Sequence, residues 1–461
     1  MTPAPAASAA GGFVVAPDSG NFDDCLFMQA TTVHYLYSHK EDSWTQIPSG
    51  AFSGTVAAGA CGVRHPWSAT YTATGGTTST VTVALNTHNI NGMVVGQMLE
   101  ILSGTAANLG QRLEILSIKN TGVAGDTITI TLDGTLPAVV ANNDTFRITS
   151  GRYFILSAGA IGAASYRAFD VATMSWTSLS GTGLPTWGTD GKLILAYNYG
   201  EIYADSIATA GAASTLTDGT KSWTVNQWAN YQVRIDGGTG IGQVRTIASN
   251  TGTVLTTSAV WTTAPDVTST YVIEANQDYI YALGNNAVTM YRYVISTNTW
   301  STLAPGAARG GAPVAGMSAS AVGVTGDATW ALETDIRNGR YIYSFRGGAG
   351  ALLDRYDIAL NNWAAIAYIG TETFTTGSSA FVMGPNLYLR KDATNRFFKY
   401  NVVKNVMLPW SYNYYTDGAG VLGQKIWVKN YDSAGTFQWV YSLQNTGTAL
   451  HRAMIYAESL L

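Results

Sequence analysis

The chain has 461 residues, of which 50 are glycine and only 12% are charged, and its formal net charge is −4. This balance excludes the strongly basic surface typical of nucleic-acid-binding proteins, and no apolar run approaches the ~18 residues that a membrane-spanning helix needs. The length suggests roughly three domains. Low charge with abundant glycine, threonine and serine favours an all-β protein built from short strands and many turns.

The first half of the chain alternates between two kinds of sequence. Residues 1–11 lack the basic and apolar segments of a secretory signal, and we expect a flexible arm there. Residues 13–48 contain four segments with strand character, FVVA, CLFMQA, HYLYS and SWTQI. A second group of strands begins at 59–66 and stops. Threonine-rich alternation, as in DTITITLDGTL, follows until the first pattern resumes with RYFIL at Arg152.

An aromatic residue followed seven positions later by tryptophan recurs along the chain. The pairs are Tyr37/Trp44, Phe169/Trp176, Tyr293/Trp300 and Tyr356/Trp363, and Tyr400/Met407 keeps the spacing. An odd separation can place two residues opposite each other across a hairpin, where an aromatic pair contributes roughly 0.2–1 kcal/mol. We interpret these ten residues as the structural signature of a repeated antiparallel unit, which predicts a β-propeller.

Two of the repeated units are interrupted at the same place, between their first and second strands. The second interruption starts near Ala204, and the unit resumes at Tyr279. The interrupting segments resemble each other, since one contains GTAANLGQRLEILSIKNTG and the other GTGIGQVRTIASNTG. We therefore predict two copies of one small β-barrel or β-sandwich module, inserted through surface loops at little entropic cost.

These patterns predict a discontinuous propeller with two inserted modules. Residues 12–66, 151–203 and 275–461 form the propeller, residues 67–150 the first module, and residues 204–274 the second. The propeller residues number roughly 300, close to six blades of about 50 residues, with seven blades as the alternative. The last blade lacks an obvious fourth strand, which either the N-terminal arm or a partner subunit would supply.

The blade sequences resemble the kelch repeat family. MYRYVISTNTWSTLAP and LDRYDIALNNWAAI are similar to its third and fourth blade strands. The chain departs from that family in having the glycine pair after the second strand only once, as Gly347-Gly348. The resemblance covers the blades and implies a kelch-like propeller.

Motifs of known chemistry are missing from the sequence. It contains no His-Glu-x-x-His, Cys-x-x-Cys or Gly-x-Ser-x-Gly motif, and its five histidines are scattered. Cys25 and Cys61 could form one disulfide, but their strand settings favour two buried thiols. GGTGIG at 237–242 lies between strands and predicts a hairpin turn, not a phosphate loop. We therefore predict no catalytic residue, cofactor or metal, so that an oxidase- or glycosidase-type enzyme is only the third hypothesis.

A run of aromatic residues near the C-terminal end is the one candidate binding surface. Trp410, Tyr412, Tyr414 and Tyr415 could stack on sugar rings or anchor a protein interface. The alternative is a loop that packs against its own blade. If the aromatics are exposed, the protein would be a carbohydrate-binding or receptor-binding propeller.

The module sequence carries a second resemblance. TLTDGTKSWTVNQWANYQVRIDGGTGIGQVRTIASNTGTVLT is similar to repeat modules of tailed-bacteriophage structural proteins. This resemblance implies a non-enzymatic virion component, made in the host cytoplasm and placed in the tail apparatus as nozzle, collar or baseplate. Expected partners are other virion proteins and copies of the chain itself, with a host-surface glycan as a further candidate and no sequence-specific nucleic acid.

Overall fold

A computed structural model shows an all-β protein. It describes residues 13–15, 24–28, 33–48, 61–84, 93–119, 123, 126–157, 165–184, 192–195, 202–274, 276, 278–283, 289–307, 320–325, 341–345, 352–372, 379–383, 386–391, 396–402, 404–412, 426–430, 437–443 and 450–456. In these ranges the regular elements are 37 strands and a three-residue 3₁₀ turn at Ala106–Asn108. Among the described residues, no helix is both long and apolar enough to cross a membrane.

The N-terminal part forms a four-stranded antiparallel sheet, sheet 1. Its strands lie in sequence order: β1 (Phe13–Val15), β2 (Asp24–Met28), β3 (His34–Ser38) and β4 (Ser43–Ile47). Leu26 and Tyr37 are buried in it. Sheet 2 opens with β5 (Cys61–His65), where the Cys61 side chain is buried, and the chain then leaves this sheet. The side chain of Cys25 lies outside the described residues.

Module 1 follows as a seven-stranded sheet. Its strands are β6 (Tyr71–Thr72), β7 (Gly75–Gly76), β8 (Thr80–Ala84), β9 (Met98–Ser103), β10 (Arg112–Lys119), β11 (Thr127–Leu132) and β12 (Thr145–Ile148). They lie in the order β6-β12-β9-β10-β11-β8-β7. The threonine-rich alternation of β11 buries Ile128, Ile130 and Leu132 and turns its threonines outward.

Module 2 repeats this arrangement. Sheet 2 is first completed by β13 (Arg152–Leu156), β14 (Tyr166–Asp170) and β15 (Ser175–Ser178), and sheet 3 opens with β16 (Lys192–Leu195). The module then contains β17 (Ile202–Ile207), β18 (Ala210–Ala212), β19 (Thr215–Thr217), β20 (Gln232–Gly237), β21 (Val244–Asn250), β22 (Val254–Thr257) and β23 (Thr270–Glu274). Their order, β17-β23-β20-β21-β22-β19-β18, matches that of module 1 strand for strand. The GGTGIG segment forms the turn between β20 and β21.

The central strand of each module bends at an equivalent bulge. Strand β10 pairs first with β9 and then with β11, and its register shifts between Ile115 and Ser117. Strand β21 does the same between β20 and β22, with the shift between Ile247 and Ser249. A bulge bends a strand, so each sheet can fold over a core that includes Ile115 in one copy and Ile247 in the other.

The rest of the chain completes four further sheets. Sheet 3 gains β24 (Tyr279–Leu283), β25 (Met290–Val294) and β26 (Thr299–Thr302). Sheet 4 contains β27 (Ser320–Thr325), β28 (Tyr341–Phe345), β29 (Leu352–Asp357) and β30 (Asn362–Ala367). Sheet 5 contains β31 (Ser379–Met383), β32 (Asn386–Arg390), β33 (Arg396–Asn401) and β34 (Val406–Tyr412). Sheet 6 has three strands among the described residues, β35 (Ile426–Asn430), β36 (Phe437–Leu443) and β37 (Leu450–Tyr456).

The first strands of successive sheets lie beside one another. Strand β1 contacts β5, β5 contacts β16, β16 contacts β27, β27 contacts β31, and β31 contacts β35. Each module therefore leaves its sheet between the first strand and the second, in two neighbouring sheets. The arm predicted at residues 1–11 and the Gly347-Gly348 pair lie outside the described residues.

Five hairpins place the two members of each seven-residue pair directly opposite each other. The facing residues are Tyr37 and Trp44, Phe169 and Trp176, Tyr293 and Trp300, Tyr356 and Trp363, and Tyr400 and Met407. The ring centroids of the four aromatic pairs lie between 4.7 and 5.1 Å apart. The Met407 side chain occupies, in sheet 5, the position that tryptophan has in the other four sheets.

The second members of these pairs are not equally buried. Trp300, Trp363 and Met407 are buried, as expected of residues that only hold strands together. Trp44 and Trp176 are half-buried instead, which departs from that simple interpretation. The indole Nε1 of Trp176 in sheet 2 donates to the Pro48 carbonyl oxygen, directly after sheet 1, at 2.8 Å. This tryptophan therefore joins two sheets through its polar edge.

Contacts between neighbouring sheets also involve the first members of the pairs. Tyr166 of sheet 2 packs edge-on against Tyr293 of sheet 3, with ring centroids 4.9 Å apart. Tyr166 also lies 5.2 Å from Trp300. The aromatic pairs thus bind neighbouring sheets to each other as well as strands within a sheet.

The two modules are attached differently to the sheets beneath them. Module 2 shares one apolar core with sheets 3 and 4, in which Tyr271 and Ile273 belong to the same cluster as Tyr281 and Tyr356. Module 1 has a core of its own, which includes Ala172 of sheet 2. Module 2 therefore packs against sheets 3 and 4 through a shared apolar core, whereas the core of module 1 is largely separate from the sheets.

Candidate functional site

A cavity of about 580 Å³ lies where the two modules meet sheets 2 and 3. Its wall includes serine and threonine hydroxyls as well as charged groups, with Ser68 and Thr70 on the entry to module 1 and Ser296 on sheet 3. The charged lining residues are Glu100, Arg112, Arg147, Arg152, Arg245, Glu274 and Asp278. In a chain with so few charges, this concentration at one junction makes it the candidate site.

A chain of ion pairs crosses the junction from one module to the other. In module 1, Arg147 Nη2 lies 2.6 Å from Glu100 Oε2, and Arg112 Nη2 lies 3.2 Å from Glu100 Oε1. Arg112 also reaches module 2, where its Nη1 donates to Glu274 Oε2 at 2.8 Å and its Nη2 to Glu274 Oε1 at 3.0 Å. Arg234 Nε donates to Glu274 Oε1 at 3.2 Å. Five residues thus join the modules through one bidentate contact.

Because the carboxylates of this network are buried, each of them needs a positively charged partner. The side chains of Glu100 and Glu274 are 3% and 9% exposed. Burial acts to raise the pKa of Glu100, but the charges and hydrogen bonds of Arg147 and Arg112 outweigh it and lower that pKa below its ordinary value. Glu100 therefore stays ionised and keeps both arginines in place.

Trp67 forms the floor under the module 1 arginines. The Arg147 guanidinium lies 4.3 Å from the Trp67 ring centroid and that of Arg112 lies 5.6 Å away. The tryptophan is 1% exposed and directly follows the residues that leave sheet 2. Stacking on an aromatic face orients a guanidinium while leaving its donors free to bind carboxylates.

Asp170 of sheet 2 fastens the entry to module 1. Its Oδ2 accepts from the backbone nitrogen of Ala69 at 2.5 Å, and its Oδ1 accepts from the Tyr71 hydroxyl at 2.7 Å. Burial, together with the negative charge of Asp170, raises the pKa of Tyr71 far above its ordinary value. The tyrosine therefore remains a hydrogen-bond donor at this junction.

Equivalent turns of the two modules touch each other. A β-carbon added to Gly110 would lie 3.1 Å from Gly242 Cα, and one added to Gly242 would lie 2.3 Å from the carbonyl oxygen of Leu109. Each glycine precedes a glutamine that opens the bent central strand, and each has a positive φ. The modules therefore meet through matching Gly-Gln turns beside the Arg112–Glu274 contact.

Asp278 provides a separate carboxyl group on the sheet 3 side. Its Oδ1 accepts from the backbone nitrogen of Ser296 at 2.7 Å and its Oδ2 from the Ser296 hydroxyl at 2.6 Å. Burial raises the pKa of Asp278, and the Ser296 hydrogen bonds and the charges of Arg147 and Arg292 only partly oppose this.

The junction is lined by groups that form hydrogen bonds and ion pairs. Across the described ranges, no group of three His, Cys, Asp or Glu side chains is placed to hold a metal ion. The cavity lining offers guanidinium donors, hydroxyls and carboxylates. These groups can hold polar or charged molecules through hydrogen bonds and ion pairs.

The predicted surface aromatics lie elsewhere, on sheet 5. Trp410 is partly buried and packs edge-on against Tyr388 at 4.9 Å and Phe397 at 6.0 Å. Its ring therefore contacts its own sheet, while part of the side chain stays exposed. Tyr412 ends β34, but its side chain, like Tyr414 and Tyr415, lies outside the described residues.

The junction residues were missed by the sequence interpretation. A usable signal was present, because charged residues interrupt the strand segments QRLEI, FRI, QVRI and YVIE of a charge-poor chain. Charges within predicted strands need partners when they are buried. The sequence could not show that Arg112 and Glu274 are those partners across two modules.

Comparisons with known proteins leave the family open. No protein-family model matches the chain, and no curated protein matches it. Among solved structures, a luciferin-regenerating enzyme aligns over 97% of this chain and 92% of its own, at 9% identity and a TM-score of 0.34. A likeness this weak supports no conclusion about function.

Proposed function

We propose that the protein is a non-enzymatic structural component of a bacteriophage virion, part of the tail apparatus as nozzle, collar or baseplate. The observation that carries the proposal is the joining of two modules of identical strand order through Arg112 and Glu274. Such a construction holds two copies of one contact element in a fixed relation to each other. The module sequence resembles those of tailed-phage structural proteins, which specifies the kind of assembly.

The six smaller sheets serve, in this proposal, as the blades of a six-bladed kelch-like propeller. The adjacency of their first strands from β1 to β35 supports this arrangement, as does the four-stranded antiparallel form of sheets 1–5. Propeller blades meet through their faces around a central axis. The propeller would be the platform, and the modules would project from two neighbouring blades.

Exposed apolar side chains favour the modules as the contact surfaces. Of thirteen large apolar side chains that are exposed in the described ranges, ten belong to the modules. They are Val94, Val95, Leu102, Leu116, Val123, Val139, Ile207, Val225, Val260 and Val267. Single exposed apolar residues are common, but their concentration on the inserted parts suits surfaces that neighbouring subunits cover.

Purified particles provide the test. Virions from a culture that produces this chain would be separated on a density gradient and analysed by mass spectrometry, and we expect its peptides to co-purify with the known tail proteins. A tagged Arg112→Glu variant tests the observation itself, because reversing that charge should separate the modules and reduce incorporation. Absence of the wild-type chain from infectious particles would reject the proposal.

A further inference from the structure

Sheet 2 differs from sheets 3 and 4 at a residue that lines the cavity. In sheets 3 and 4 the second strand begins with a tyrosine, Tyr279 or Tyr341, and an arginine of the next strand stacks on it at 4.3 Å. The equivalent residue of sheet 2 is Arg152. It directly precedes Tyr153, which lies opposite the signature aromatic Phe169, just as Tyr279 precedes Ile280, which lies opposite Tyr293. The position of the stacking arginine is taken by Ala168. Sheet 2 thus has a single arginine at the cavity wall, where sheets 3 and 4 have an arginine–tyrosine pair.

Arg152 lies directly opposite Asp170 of β14, but the Asp170 carboxylate is bound by Ala69, Tyr71 and Thr173. The Arg152 guanidinium lies 5.0 Å from the ring centroid of Phe154, its buried Nε has no hydrogen-bond partner, and it forms no ion pair with any described residue. Its positive charge is close enough to Tyr166 and Tyr293 to lower their pKa values against the larger effect of burial. Arg152 is partly buried and lines the cavity. An anion in the cavity would therefore meet guanidinium donors that are not engaged by another group.

The other charges of the cavity do not supply that anion. Glu100 and Glu274 are already shared among Arg112, Arg147 and Arg234. Arg245 donates to the carbonyl oxygens of Val260 and Val244 and to side-chain oxygens of Gln243 and Thr262. Asp278 is held by Ser296 on the sheet 3 side. Four arginines against three acidic residues leave the lining with an excess of positive charge.

We propose that the cavity binds a small carboxylate-bearing ligand, with Arg152 as the residue that receives the carboxylate. A guanidinium matches a carboxylate through two parallel hydrogen bonds, which a lysine cannot reproduce. A cavity of about 580 Å³ lies in the size range of small-molecule sites. Thr70 and Gln232 in the lining offer hydrogen bonds to the rest of the ligand. The inference rests on the cavity alone and not on the virion proposal.

The carboxylate could come from an acidic sugar or from an acidic side chain of a partner protein. Two pairs of probes distinguish these sources, and their binding to the full chain is measured by isothermal titration calorimetry. Glucuronate with glucose as its neutral control represents an acidic sugar. The peptide acetyl-Gly-Asp-Gly-amide with its Asn counterpart represents an acidic side chain of a partner. We expect at least one acidic probe to bind about tenfold or more tightly than its neutral control.

Variants assign the binding to Arg152. Arg152→Met, which keeps an unbranched apolar stem, should weaken the acidic probe about tenfold or more. Arg152→Lys, which keeps the charge, should recover only part of the affinity and guards against a folding defect. Arg355→Met is the matched control, since Arg355 also stacks on a ring and has a buried unpartnered Nε but lies outside the cavity lining. Failure of both acidic probes to bind wild-type protein, or equal binding by Arg152→Met, would overturn the inference and leave the virion proposal untouched.

Discussion

Arg112 of the first module holds Glu274 of the second with two hydrogen bonds of 2.8 and 3.0 Å, although the two residues are 162 positions apart. Arg112 simultaneously binds Glu100, and Glu274 simultaneously binds Arg234. The contact is therefore the centre of a continuous network and not an isolated surface pair. Because its two carboxylates are almost fully buried, the modules are stable together only when each charge has its partner.

Replacing Glu274 by glutamine should be strongly destabilising. The variant leaves Arg112 and Arg234 facing an uncharged amide, and removal of one member of a buried ion pair costs about 3 kcal/mol. Urea unfolding at neutral pH, followed by tryptophan fluorescence, measures the loss.

The matched control for this variant is Glu372→Gln. Glu372 binds Lys391 at 3.0 Å, but the two side chains are 26% and 23% exposed. A pair this accessible should contribute no more than about 1 kcal/mol. Equal losses in the two variants would mean that the junction network is no stronger than a surface ion pair.

Acid should weaken module 1 through Glu100. The pKa of this carboxyl is lower in the folded protein than its ordinary value of 4.5. A group with a lowered pKa contributes stability that is fully present above its unfolded pKa and is lost as pH falls through the folded one. We therefore expect the free energy of unfolding to fall progressively once the pH drops below about 4.5, as measured by urea titrations at several acidic pH values.

Glu100→Gln isolates this contribution from those of other carboxylates. The variant should be less stable than wild type at pH 7, and the difference between the two should shrink as the pH falls below about 4.5. A difference that is constant from pH 7 to pH 3 would show that the ionisation of Glu100 does not contribute to stability.

Asn298 should stabilise the sheet 3 hairpin in two ways, through side-chain hydrogen bonds and through its tolerance of a positive φ. Its Oδ1 accepts from the Tyr293 hydroxyl at 2.8 Å and from the backbone nitrogen of Ser180 at 2.9 Å, and its φ is 52°. Asn298→Ala loses these bonds and places alanine in the left-handed region, for a combined loss of about 2 kcal/mol. Thermal and urea unfolding of the purified variant give the value.

Two further substitutions separate the two effects. Asn298→Gly keeps the backbone conformation at no steric cost, so it should lose about 1 kcal/mol less than alanine. Asn298→Asp should stay close to wild type, because Asp42 accepts from Tyr37 at 2.6 Å in the same position of sheet 1. If alanine and aspartate were equally destabilising, the side-chain acceptor would have no role.

The sequence contained enough information to locate the strands and hairpins but not the junction. The seven-residue spacing predicts that Tyr293 faces Trp300, and the structure places them opposite each other, because hairpin register depends on nearby residues. Asn298, the acceptor for the Tyr293 hydroxyl two residues before Trp300, belongs to the same local segment. The Arg112–Glu274 contact is not local, since it depends on how two folded modules lie on the sheets beneath them.

Side-chain surroundings were the other limit of the sequence interpretation. The composition of the run from Trp410 to Tyr415 predicts a binding surface, and the structure adds that the partly exposed Trp410 packs against Tyr388 and Phe397. An aromatic residue has the same sequence signal whether its ring faces a ligand or its own sheet. Arg152 shows the converse, because only the comparison of sheets 2, 3 and 4 in register reveals that an arginine has replaced a tyrosine.

Substituting alanine for Gly242 should separate the modules without altering any charge. The added β-carbon would lie 2.3 Å from the carbonyl oxygen of Leu109, and the φ of 81° is unfavourable for alanine. Neither the close contact nor the unfavourable φ can be relieved without moving one module. We therefore expect the free energy of unfolding to fall by about 2–3 kcal/mol. Gly252→Ala in the same module is the control, because its nearest neighbour would be the Trp223 carbonyl oxygen at 3.7 Å. If small-angle scattering and unfolding curves were the same for both variants, the Gly-Gln turns would not be the point at which the modules touch.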